Sequence, residues 1–122
     1  MQQYVSLSVP PEADFARSVR MLAANLGVVC SLSVDDVEDL RMAAEEGFVY
    51  ACATEPKTCN VGFKLDKGSV QIDFGLGDAD AQENEALAYA DLLLSAVCDE
   101  YTVDHEQHEL HVVKHVGTGD NA

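Results

Sequence analysis

Residues 59–74 read Cys-Asn-Val-Gly-Phe-Lys-Leu-Asp-Lys-Gly-Ser-Val-Gln-Ile-Asp-Phe. Cys59, Val61, Phe63 and Leu65 take every second position, Asp66-Lys67-Gly68 supplies turn residues, and Val70, Ile72 and Phe74 resume the alternation. A period of two on both sides of a short turn is the pattern of a β-hairpin with one apolar face. That face needs a cover, so the segments flanking the hairpin decide the fold.

Before the hairpin, Thr54 to Thr58 with Pro56 reads as a loop. Ser33-Val34-Asp35-Asp36 has the form of a capping box and opens a helix. Its apolar stripe is Val37, Leu40, Ala44, Gly47, Phe48 and Ala51. An earlier helix follows Pro10-Pro11, with Phe15, Val19, Leu22, Ala23 and Leu26 at helical spacing and Gly27 as the expected C-cap. Residues 3–9 alternate through Val5, Leu7 and Val9 as an opening strand. After the hairpin come a loop from Gly75 to Asp80 and a third helix over 83–99, with Leu87, Ala90, Leu94, Val97 and Cys98 inward. Tyr101–Asp104 and Glu109–Lys114 form a last hairpin, and residues 117–122 a frayed tail.

The order βαα-ββ-α-ββ predicts a single domain over residues 1–116, of class α+β. Its architecture is a two-layer α/β sandwich with three helices on one face of a mixed sheet. The 122 residues, 48% of them hydrophobic, suffice for a packed core. Seven bases against 22 acids, a net charge of −15, argue against a phosphate-backbone binder. No apolar run approaches the roughly 18 residues of a membrane span, and no signal peptide is legible. Four cysteines without paired spacing fit reduced thiols, so a cytoplasmic location is expected. From Gly68 to Val113 there is no Lys or Arg but there are eleven acids. That stretch reads either as a solvated surface or as a face that steers a basic partner. His111 and His115 share a strand face but stand roughly 13 Å apart at ~3.3 Å per residue, too far to share one ion. No metal site is expected.

Two segments carry a family resemblance. Asp39-Leu40-Arg41-Met42-Ala43-Ala44-Glu45-Glu46-Gly47-Phe48-Val49-Tyr50-Ala51 is similar to a family helix that bears a Glu and, four residues later, an Asn. Asp73-Phe74-Gly75-Leu76-Gly77 has the form Asp-x-Gly-x-Gly. With the element order, they make the chain resemble the histidine-kinase-like ATPase (Bergerat) fold from about residue 3 to 115. The resemblance is to the short form found in bacterial anti-sigma factors that double as serine-protein kinases.

The resemblance implies Glu46 as general base toward a substrate serine. It implies Asp73 as the residue that recognises adenine, and Gly75 and Gly77 as glycines that let the backbone approach a nucleotide. ATP and magnesium are the ligands it implies. Tyr50 stands where the family's magnesium-chelating Asn would be, and a neutral phenol is a poor ligand for a hard cation. Strand parity turns Asp73 away from the face of Phe74, which is expected to fill the space adenine needs. Only seven residues, Asp78 to Asn84, are left for a phosphate lid, and Ala86 and Ala88 replace helix-start glycines. Acids at 78, 80, 83 and 85 would repel a triphosphate.

The expected function is therefore an anti-sigma-factor-like regulator that sequesters a basic protein, such as a sigma factor or its antagonist. ATP binding is expected to be impaired or lost, with no nucleic acid or membrane contact, and the family adds a homodimer. The alternatives are an active ATP-dependent serine-protein kinase, and a domain that keeps the fold for dimerisation or a small ligand.

Overall fold

The computed structural model describes residues 2–79 and 85–115, with backbone alone for 85–87. The chain runs β1 (Gln3–Val9), a 3₁₀ turn (Ala13–Phe15), α1 (Ala16–Val29), α2 (Val34–Ala53), β2 (Cys59–Asp66) and β3 (Ser69–Gly75). It continues through α3 (Glu85–Val97), β4 (Glu100–Asp104) and β5 (Glu109–His115). The expected order of elements is the observed one.

The strands form one sheet in the order β1-β2-β3-β5-β4. Every neighbouring pair is antiparallel, which corrects the expected mixed sheet. The reason lies in the connections. Two helices separate β1 from β2, so the chain returns in the opposite direction. The single helix between β3 and β4 would make those two strands parallel neighbours, but β5 folds back between them.

Register sorts the side chains into two faces. Phe63 lies opposite Ile72, which lies opposite Val112, and all three are buried beneath the helices. Phe48, Phe63 and Phe74 are wholly buried, each worth about 1.5–3 kcal/mol of transfer free energy. The other face carries Lys64, Gln71, Asp73 and His111, none of them fully buried. The architecture is thus α+β in two layers, with the helices packed on the apolar face.

α2 begins as expected: the Asp36 amide donates to Ser33 Oγ at 3.1 Å. α1 does not end at Gly27. It continues to Val29, and Ser31, with a φ of 64°, makes the left-handed break. Gly27 instead sits at the α1–α2 crossing, where a Cβ would stand 3.1 Å from Leu40 Cδ2 and 3.2 Å from Val37 Cγ2. In α3, Ala90 and Leu94 are buried and Val97 is half-buried, as is Cys98 just beyond the helix. The helix stops at Val97 rather than at residue 99. The expected inward Leu87, the helix start at 83–84 and the tail at 117–122 lie outside the described residues.

Candidate functional site

The last turn of α2 is pinned to the loop after β3. Gly77 N donates to Thr54 Oγ1 at 2.7 Å, Thr54 Oγ1 donates to the Ala51 carbonyl at 2.6 Å, and Ala79 N donates to the Thr54 carbonyl at 3.0 Å. Gly77 has to be glycine here, because an added Cβ would lie 2.6 Å from both Glu55 C and Pro56 N. Leu76 N donates to the His108 carbonyl at 2.8 Å, which fastens the same loop to the β4–β5 turn. Between these three segments opens a cavity of about 280 Å³ lined by Tyr50, Thr54, Leu76, Gly77, Val103 and His108. Asp78, Ala79, Asp104 and His105 complete the wall. His108 Nδ1 stands 3.6 Å from Asp78 Oδ1.

The four residues singled out from the sequence are not gathered here. Gly77 alone lines this cavity. Asp73 and Gly75 line a separate groove of about 550 Å³, whose wall includes Ser6, Ser8, Asn60 and Glu109. These residues belong to the helix-free face of the sheet, its rim and the neighbouring loops. Glu46 lines neither space. Asp73 is already engaged: Oδ1 lies 2.5 Å from His111 Nδ1 and accepts from Gln71 Nε2 at 2.7 Å, while Oδ2 is 3.7 Å from Lys64 Nζ. Phe74, its neighbour, fills the opposite face with no exposure.

Glu46 is half-buried on α2. Burial, with a smaller contribution from the charge of Glu45, pushes its carboxyl above the ordinary range. A desolvated carboxylate of this kind is a stronger proton acceptor than one in water. The thiols are shielded as well: burial pushes Cys59 and Cys98 up to about 12, and Cys30 and Cys52 also upward. All four cysteines are unpaired.

A charged cluster escaped the sequence reading. Lys114 shares the inward face with Leu110 and Val112 and is only 9% exposed. Its Nζ lies 3.2 Å from Asp39 Oδ2, 3.7 Å from Asp36 Oδ1 and 3.9 Å from Asp99 Oδ2. Burial lowers the Lys114 pKa, but the Asp39 hydrogen bond and the charges of Asp99, Asp39 and Asp36 outweigh it, so the ammonium is held above its ordinary range. Asp36 Oδ2 is buried without a hydrogen-bond partner. The one available signal was parity, since Lys114 falls two residues after Val112 on an otherwise apolar face.

Among the described residues, no group of three or more His, Cys, Asp or Glu side chains is placed to hold a metal ion. No described helix is long and apolar enough to cross a membrane. Asp80, Glu83 and the side chains of Glu85 and Ala86, which bear on the expected lid and its charge, lie outside the described residues; Ala88 is exposed on α3. Fold and site define an α+β domain with a cavity at the end of its second helix whose wall includes two aspartates and two histidines. The chain matches no protein-family model, and a search of curated proteins finds no match either.

Proposed function

We propose that this domain is an anti-sigma-factor-like regulator that sequesters a basic protein partner by surface contact in the cytoplasm, with ATP binding weakened or lost. The observation that carries the reading is the engagement of Asp73. The carboxylate that would recognise adenine is bonded to His111 on the helix-free face, while Phe74 fills the helix side. With Tyr50 in the place of a magnesium ligand, ATP is expected to bind with a dissociation constant above ~1 mM, barely 4 kcal/mol of association. The remaining capacity is surface recognition. Exposed Glu100 and Glu106 belong to the stretch that has eleven acids and no Lys or Arg, and such a field speeds encounter with a basic protein.

A kinase reading has one observation in its favour, the desolvated Glu46 carboxylate on α2. Two measurements separate the readings. Calorimetry with ATP and magnesium should give no micromolar titration, and Glu100→Lys with Glu106→Lys should slow partner association and flatten its salt dependence. Micromolar, magnesium-dependent ATP binding, or a phosphate on a co-purified protein that vanishes with Glu46→Ala, would establish the kinase instead.

A further inference from the structure

β4 ends the sheet, with β5 on one side and, among the described residues, no strand on the other. An edge strand offers unpaired backbone amides and carbonyls to any chain that fits beside it. The side chains decide which chain fits. In register with β5, Tyr101 and Val103 stand opposite the buried Val112 and Leu110, on the helix side. Glu100, Thr102 and Asp104 therefore belong to the helix-free face.

That face of the edge is short of positive charge. Asp104 lies directly opposite Glu109, a like-charge pair that destabilises a sheet. Asp104 Oδ1 accepts from the amides of Glu106 and Gln107, both at 3.0 Å, which orders the turn but brings no cation. Among the described residues no Lys or Arg ion-pairs with Glu100, Asp104 or Glu109. Only the His111 ring comes near, with Nε2 3.7 Å from Glu109 Oε1. The helix side is largely apolar and incompletely covered. Tyr101 and Val103 are half-buried, and Val103 is part of the wall of the cavity at the end of α2. Tyr101 Oη donates to Asp91 Oδ1, so this flank of α3 runs beside the strand. Ala88 and Ser95, one turn to either side of Asp91, are exposed, and neighbouring Leu92 is 65% exposed.

We propose that an extended, basic segment of the partner protein adds to the sheet at β4 as a sixth strand. This rests on the reading of the domain as one that holds a basic protein, and it names the segment that is held. The segment alternates. Lysine or arginine lies on the helix-free face beside Glu100, Thr102 and Asp104, and apolar residues lie beside Tyr101 and Val103 against the flank of α3. Main-chain hydrogen bonds supply the affinity, and the alternation supplies the specificity. A second copy of this chain, with its net charge of −15, would bring acids to these acids and is disfavoured.

The probe is a dye-labelled, amidated seven-residue peptide that alternates lysine and valine. Its control has the same composition with the lysines and valines in separate blocks. Fluorescence anisotropy with the full chain should show the alternating peptide binding about tenfold more tightly than the block peptide. Amide exchange should slow over residues 100–104 when the alternating peptide is added, and not over residues 3–9 at the other edge. Glu100→Lys should weaken that peptide about five- to tenfold, because a cross-strand attraction becomes a repulsion. Glu106→Lys, in the turn beyond the strand, should have a much smaller effect. Equal binding of the two peptides, with equal sensitivity to both variants, would overturn the edge-strand proposal and leave the basic-partner reading resting on the field of the acids. No titration of the alternating peptide up to about 1 mM, or exchange over residues 100–104 that ignores it, would also overturn the proposal. The wider reading is tested separately, by calorimetry with ATP.

Discussion

Gly47 of α2 lies directly against the ring of Phe74 on β3: a Cβ built at position 47 would stand 2.6 Å from Phe74 Cζ. Helix and sheet approach this closely only because one residue has no side chain. Gly47→Ala improves intrinsic helix propensity by about 1 kcal/mol but forces the buried ring to move, at roughly 1–3 kcal/mol. Net destabilisation is expected in urea titrations. Phe74→Leu in the Gly47→Ala background should recover part of the loss, the coupling of two residues in contact. Additive losses would show that the contact is not the cause.

Lys114 is the cation that three carboxylates share at the junction of α2, β5 and the segment after α3. Lys114→Met should cost about 3 kcal/mol at neutral pH, because it leaves partly buried acids without their cation. In the wild type the folded Lys114 holds its proton more tightly than its ordinary value of 10.5. Its contribution is complete below that value and is lost as pH rises through the higher folded one. Denaturant titrations should therefore show alkaline weakening above about pH 10.5 that Lys114→Met lacks.

Glu46 works in the same direction from a different cause. Its folded carboxyl binds a proton more tightly than the unfolded value of 4.5, so it favours folding below that value. The benefit disappears as pH rises through the folded value, and at neutral pH the ionised group opposes folding. Glu46→Gln should raise the melting temperature at neutral pH and change it little below pH 4.5. A lower melting temperature at neutral pH would mean that the carboxylate has a stabilising partner.

The four thiols should be nearly inert in the folded chain. The thiolate is the reactive form, and burial suppresses it most at Cys59 and Cys98. An aromatic disulfide reagent at neutral pH should titrate all four cysteines promptly only after denaturant is added. Rapid native reaction of any one would identify a thiol reached by solvent.

Much of this fold is written locally. The alternation through Cys59–Leu65 and Val70–Phe74 fixes which side chains face the helices, because a strand has a period of two. Ser33 marks the start of α2, because its hydroxyl satisfies an amide that the helix leaves open. The same parity puts Asp73 on the face of β3 opposite to that of Phe74.

The tertiary structure decided what depends on partners distant in sequence. Neighbour direction in the sheet is antiparallel throughout because β5 inserts between β3 and β4, a choice no local pattern encodes. Gly27 reads as a helix end, yet it serves the α1–α2 crossing, since the need for a missing Cβ arises from Leu40 and Val37. Asp73 meets His111 only through strand register, and Lys114 meets Asp36, Asp39 and Asp99 only when helix and sheet dock. Periodicity is a property of one segment, whereas these contacts are properties of how segments are joined, and that is where sequence reading alone stops.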